Sequence, residues 1–298
     1  MHNNINIYIS FKFNNGFIDD VKIADHCQNI IDDGSFSHVF IKRTEFNEYY
    51  HEDNGGAIHM INSGLTCNDA SFETCYTTGG GGGGIYIYNE YELTNNITLK
   101  NLTFKICSAV FGGAIYIYSI SENNPVLIEN CKFLDNIVIG TQETSKLYGG
   151  SAVYLTVSKC HIIGSRLKRN KGKGGSMKIN TNFDEKPKNN NEALRTLSHK
   201  STLKPFKLNS AHSISITKCS FEMGDDLQSS LIFANVHQPI KTRLRDCSFS
   251  GKLAKDSFYI DGQSVGGSKP NFKINGCTFG SELKNRFNSK FISEQNVR

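Results

Sequence analysis

Apolar residues alternate with other residues over short runs in much of the chain, and between these runs no 3.6-residue helical period intervenes. The clearest unit lies in residues 112–136. It opens Gly112-Gly113-Ala114, alternates through Ile115-Tyr116-Ile117-Tyr118, passes a polar turn and closes Ile128-Glu129-Asn130-Cys131-Lys132-Phe133-Leu134-Asp135-Asn136. The opening half recurs at residues 55–58, 83–86, 149–154 and 174–177, and the closing half at residues 41–46, 99–104, 157–162, 216–221, 244–249 and 274–279. Phe104, Phe133 and Ile162 are spaced by 29 residues, and Phe221, Phe249 and Phe279 by 28 and 30.

A period of this size in short alternating runs broken by Gly, Asn and Asp predicts an all-β solenoid, with one repeat per coil. The economical architecture is a right-handed parallel β-helix. Roughly eight coils fit between Val39 and Phe279, a rod on the order of 40 Å long at the strand spacing of about 4.8 Å. Equivalent positions then stack. Ile58, Ile85, Ile115, Val153 and Met177 form one inward column, with Met60, Ile87, Ile117, Leu155 and Ile179 forming the next. Between them an outward column reads His59, Tyr86, Tyr116, Tyr154 and Lys178. A slip of one residue would turn both aliphatic columns to solvent.

The domain reading follows the repeat. Residues 1–38 form an N-terminal cap, 39–280 the β-helix and 281–298 a C-terminal cap or tail, since an open solenoid end leaves strand edges to be covered. Periodicity lapses at 181–209, a polar stretch rich in Asn and Lys. Nothing there matches the strand motif, so one coil carrying an inserted loop is expected between Ile162 and Phe221 rather than two coils. The six glycines at 79–84 have no following Lys-Ser or Lys-Thr and no helical pattern, so they read as a slack corner and not a phosphate loop.

Cysteine changes the picture little. Cys131, Cys160, Cys219, Cys247 and Cys277 fall in one repeat register and predict an inward thiol ladder. Parallel stacking sets Cβ atoms about 4.8 Å apart, beyond the disulfide range of about 3.5–4.5 Å, so these thiols read as small core fillers. There is no CxxC pair to support zinc.

Charge matters more. The formal net charge is +5, yet residues 166–207 hold twelve Lys or Arg against three acids. Arg166, Lys168, Arg169, Lys171 and Lys173 head this basic corner and are candidate binding residues for an anionic partner. The outward rings of Tyr86, Tyr116 and Tyr154 are the second candidate, as a platform for sugar rings or a protein partner. The alternative role for those rings is cross-strand support of the solenoid face.

Written out, the repeat resembles the polymorphic outer membrane protein family of chlamydial type and similar surface repeat proteins of parasitic protists. That family carries GGA-I and FxxN motifs on a right-handed β-helix. Residues 55–58 and 112–115 match the first motif, 149–153 match it loosely, and Phe133-Leu134-Asp135-Asn136 matches the second. Phe72 to Cys75 and Phe104 to Cys107 place Cys where the family has Asn. The likeness covers about residues 40–280 and implies a surface adhesin or antigen, at the cell surface or outside the cell, with an anionic glycan or a host protein as partner. Such proteins usually carry a secretion signal and a membrane anchor or barrel. The polar start at residues 1–10 has no basic segment followed by an apolar run, and no apolar run approaches a membrane span. The expectation is therefore an intracellular protein or a fragment of a longer one.

Parallel β-helices also host polysaccharide-cleaving enzymes, the alternative function. Gly224-Asp225-Asp226 is the one paired-carboxylate candidate for general acid and base. The Asn-x-Asp, Gly-His-Gly and downstream Arg-x-Lys of polygalacturonase-type sites are missing, because Arg166-Leu167-Lys168 precedes the acids. Glu129, Asp135 and Asp246 form no calcium column. The nine His, among them His59 and His212, stand in no catalytic spacing. The reading is a non-enzymatic surface-type repeat protein for adhesion or antigenic display, with no cofactor, no metal and no specific nucleic-acid partner.

Overall fold

The computed structural model describes residues 15–19, 22–23, 30–33, 38–90, 96–139, 149–172, 175–180, 212–222, 232–236, 240–251, 258–262, 271–281, 287–288 and 292–295. All regular structure among them is β, and every strand pairing is parallel. Three long ladders run the length of the molecule. The tyrosine sheet has nine strands, including Ile58–Ile61, Ile85–Asn89, Ile115–Ser119, Val153–Val157 and Met177–Asn180. The aliphatic sheet has ten, including Ile97–Lys100, Val126–Glu129, Lys159–Ile163, His212–Thr217, Ile240–Arg245 and Asn271–Asn275. The phenylalanine sheet has nine short strands such as Thr103–Lys105 and Lys132–Leu134, and a four-stranded ladder adds a corner at Tyr50–His51, Tyr76–Thr77, Ser108–Ala109 and Ile137–Val138. Neighbours in each ladder are one repeat apart in sequence, so the fold is the expected parallel β-solenoid.

The tyrosine sheet has the predicted register. Ile85 pairs with Ile58 on one side and Ile115 on the other, and Ile87 with Met60 and Ile117. Both aliphatic columns lie in one continuous core. Against them the phenylalanine sheet stacks Phe46, Phe72, Phe104 and Phe133, with ring centroids 4.6, 4.6 and 5.1 Å apart and planes within 8°. Such offset aromatic pairs add to simple area burial.

The phenylalanine strands are only two or three residues long, and a left-handed residue bends the chain at the entrance or exit of most of them. Arg43, Asp69, Asn101, Asn130, Lys218 and Asp246 hold φ of 48 to 55° at the entrance, and Glu48, Thr74, Ile106, Asp135 and Arg169 hold 53 to 57° at the exit. Asn and Asp enter this region most easily, which explains their recurrence before the Cys column. At the entrance the bent amide still donates to the next coil, as Asn101 N–H does to Glu129 O at 2.9 Å and Asn130 N–H to Ile163 O at 2.8 Å. The ladder therefore continues through the corner with its backbone groups satisfied.

One coil departs from the expected register. Phe133 pairs with Leu167, and Ile162 pairs instead with Ile128. The closing half of that repeat is thus residues 162–167, with Gly164 at φ 62° in the left-handed position. Its Asn170 stands 34 residues after Asn136, whereas Asn136 follows Cys107 by 29. The extra residues enter before the Val153–Val157 strand, so a fixed spacing counted from Phe133 lands on Ile162 instead of Leu167. Cys160 accordingly leaves the thiol ladder and faces Val126 and Ile214. Cys131, Cys219, Cys247 and Cys277 keep one column, with Ser165 in the slot assigned to Cys160; its Oγ accepts from Cys131 N–H at 3.1 Å. The eight described cysteines are buried and unbridged, and Cys27 lies outside the described residues.

Burial pushes the Cys131 thiol up to about 12, and burial, then the neighbouring Tyr86 and Tyr154, pushes Tyr116 well above its usual value. Both groups are neutral in the fold and ionise earlier when unfolded. Their contribution is complete below about pH 8.5, where the unfolded thiol is still protonated, and is lost as pH rises toward the folded value. A urea midpoint lower at pH 10 than at pH 7 is expected. An unchanged midpoint would contradict the buried, neutral thiols.

Lys159–Ile163 pairs directly with His212–Thr217, so the chain makes a single coil between them. The departure lies between Asn180 and His212, and the insertion at 181–209 lies outside the described residues. The ladders also extend past the repeat motif. Asn15–Asp19 pairs with His38–Lys42, and Ile292–Gln295 with Asn271–Asn275, so the terminal stretches expected as caps supply strands to the same sheets.

The six-glycine corner is tight rather than slack. A Cβ on Gly80 would lie 2.0 Å from Asp53 O, one on Gly81 2.2 Å from the Phe111 ring, and one on Gly83 2.4 Å from Gly113 O. Close approach of neighbouring coils, not looseness, requires glycine there.

Candidate binding surface

The outer side of the tyrosine sheet is closed. Tyr86, Tyr116 and Tyr154 are each 0% exposed, and with Tyr88, Tyr118, Phe111 and Ile120 they form a second apolar cluster across the sheet from the main core. Tyr86 stacks on Tyr116 at 5.0 Å, Phe111 meets Tyr116 edge-on at 5.0 Å, and Lys178 Nζ sits 4.9 Å from the Tyr154 ring centre. The expected sugar platform is therefore corrected: fully covered rings present no face to a ligand. Alternation fixes which side of a sheet a residue takes. It does not say whether anything packs on that side, and here Phe111 from the glycine-lined corner does.

The basic corner is largely compensated where it is described. Arg166 and Lys168 both reach Glu222, at 3.3 and 2.9 Å, and Arg169 grips Asp135 with two hydrogen bonds of 2.7 and 2.6 Å. The Arg169 guanidinium holds the Asp135 carboxyl below its usual range. Partial burial opposes ionisation of Glu222, but hydrogen bonds from Lys168 and Arg166 outweigh it and lower that carboxyl too. Lys171 is exposed, and Lys173 lies outside the described residues. The sequence count missed these pairs because Glu222 is remote in the chain and arrives through parallel pairing of Arg166–Lys168 with Ser220–Glu222.

Sequence reasoning also missed a second cationic surface, on the outer face of the aliphatic sheet. Pairing brings Lys159 beside Ser213 and then Lys241, His161 beside Ser215, Arg243 and Lys273, and Ile163 beside Thr217 and Arg245. The inward partners Cys160, Ile162, Ile214, Ile216, Thr242, Leu244, Phe272 and Ile274 are buried, so these residues face solvent. Among the described residues no carboxylate pairs with Lys159, Lys241, Arg243 or Lys273; Arg245 meets Asp246 at 3.4 Å. A depression of about 140 Å³ is lined by Lys241, Thr242, Arg243 and Lys273. The signal was present as the alternation Lys241-Thr242-Arg243-Leu244-Arg245, but the cations of this face are spread over more than 110 residues of sequence, from Lys159 to Lys273.

The remaining candidates are quickly placed. Asp225 and Asp226 lie outside the described residues. His59 sits edge-on to Tyr86 at 5.0 Å within the covered face. Among the described residues no group of three or more His, Cys, Asp or Glu is placed to hold a metal, and no helix is long and apolar enough to cross a membrane. Comparison with family models, with curated proteins and with solved structures finds no match for this chain.

Proposed function

We propose that this chain is a non-enzymatic repeat protein of surface type, akin to the polymorphic outer membrane proteins, whose work is adhesion through a solenoid face. The observation that carries the reading is the contrast between faces. The tyrosine face is closed by its own aromatic cluster and the phenylalanine face pairs Lys105, Arg166, Lys168 and Arg169 with carboxylates, whereas the aliphatic sheet leaves a row of cations and hydroxyls without such partners among the described residues. Motif placement supports the family reading. Cys75, Cys107 and Asn136, all at the last position of an FxxN-like tetrapeptide, follow phenylalanines that pair in one column. A rigid ladder holds such a face in fixed geometry without a loop to order on binding.

Beads coated with the purified chain should be retained on cultured cell monolayers above albumin-coated beads. Retention equal to albumin would refute the adhesive role. Release of reducing ends from polygalacturonate or similar acidic glycans would replace it with the enzymatic reading.

A further inference from the structure

We infer that the open face of the aliphatic sheet, centred on Lys241, Arg243 and Lys273, binds a linear sulfated glycan. The inference rests on the adhesive reading and names its ligand. Lys159, His161, Lys241, Arg243 and Lys273 converge on four adjacent strands, flanking a half-buried hydroxyl row of Ser213, Ser215 and Thr217. Asp246, which follows the strand of Arg243, is engaged by Arg245, and Glu129 is engaged by Lys100 at 2.9 Å. Among the described residues no carboxylate pairs with these cations, and their positive field is focused over a depression sized for a small anionic group.

The lattice of this face fits a repeating polyanion. A chain laid along the solenoid axis meets His161, Ser215, Arg243 and Lys273 in turn, over about 14 Å at three strand spacings. A parallel track carries Lys159, Ser213 and Lys241. Cations meet sulfate or carboxylate groups while the hydroxyls bond sugar oxygens, which is the mixture a charged glycan requires. The same features argue against nucleic acid. Single strands are held by exposed rings between the cations, and the four strands expose no Phe or Tyr, Phe272 being buried. A flat sheet face also presents no helix or ribbon to a duplex groove.

The test titrates a fluorescent heparin oligosaccharide with the full chain and follows anisotropy at about 0.1 M and about 1 M salt, where the screening length falls from about 10 to about 3 Å. Binding at the lower salt and its loss at the higher are expected. The triple variant Lys241→Ser, Arg243→Ser, Lys273→Ser should weaken binding about tenfold or more, and Arg166→Ser with Lys168→Ser should leave it within about twofold, as expected when only the first set supplies the unpaired field. Desulfated heparin and an oligothymidylate of matched length should bind at least about tenfold more weakly. Because the three positions point outward, the variant should keep its circular dichroism; if it does not fold, Arg243→Glu alone decides, with the same loss expected. Unchanged affinity in the face variant, or no binding at low salt, overturns the site. Oligothymidylate binding as tight as heparin overturns the glycan and assigns the face to nucleic acid. Bead adhesion that survives the face variant would sink this inference while leaving the adhesive role standing.

Discussion

Alanine at Gly113 is expected to unfold the solenoid or to cost about 4 kcal/mol or more, at the far end of what one substitution does. A methyl group there would lie 2.2 Å from Ser151 O and 2.7 Å from Ile137 O. Both atoms are backbone of neighbouring coil segments, so no side-chain rotation relieves the overlap. Relief would require parting coils held by Gly113 N–H to Gly150 O at 3.0 Å and Gly83 N–H to Gly113 O at 3.1 Å. Gly84→Ala is the matched control. Its methyl group would meet the Phe104 ring at 2.9 Å, and the equivalent positions Ala57, Ala114 and Ala152 already carry one. Urea melts followed by circular dichroism should show Gly113→Ala far less stable than Gly84→Ala. Equal midpoints would mean that the coils do not approach at this corner as described.

The second large effect belongs to Asn136, which is 0% exposed. Its Oδ1 accepts from Cys107 N–H at 2.9 Å, and its Nδ2 donates to Phe104 O at 3.2 Å and to Asn170 Oδ1 at 2.9 Å. Asn170 repeats the pattern one coil on, accepting from Asn136 N–H at 3.0 Å and donating to Phe133 O at 3.1 Å. This amide ladder satisfies backbone groups that the left-handed corner turns inward. Asn136→Ala strands a buried N–H and a buried C=O, each costing about 1–3 kcal/mol, so a loss of about 3 kcal/mol is expected. Asn136→Cys should cost less. At the same column Cys107 Sγ donates to Phe72 O at 3.5 Å, so a thiol replaces the donor though not the acceptor. Chemical denaturation of the three proteins would measure the order; alanine and cysteine equally costly would contradict the ladder.

Much of the fold is legible in the chain because a solenoid makes its long-range contacts between neighbouring repeats. The pairing of Ile85 with Ile58 and Ile115 is implied once Gly83-Gly84 and Gly112-Gly113 are aligned, since the glycine corner fixes the phase of the alternation that follows. The position of Cys75 and Cys107 in the asparagine column is legible for the same reason. The coil through Leu167 was not, because its additional residues shift the phase by an amount that spacing alone does not reveal.

The sites were much less legible. Sequence determined which residues point inward or outward along each strand, because the two-residue period of a strand is a local property. Whether an outward residue is free depends on what arrives from elsewhere in the chain. Phe111 and its neighbours cover Tyr116, Glu222 reaches Arg166 and Lys168, and no carboxylate reaches Lys241, Arg243 or Lys273 among the described residues. Burial and charge compensation are set by those through-space distances, so the sequence by itself determined the repeat, the β class and the inward columns, and only the tertiary structure decided which face was left open.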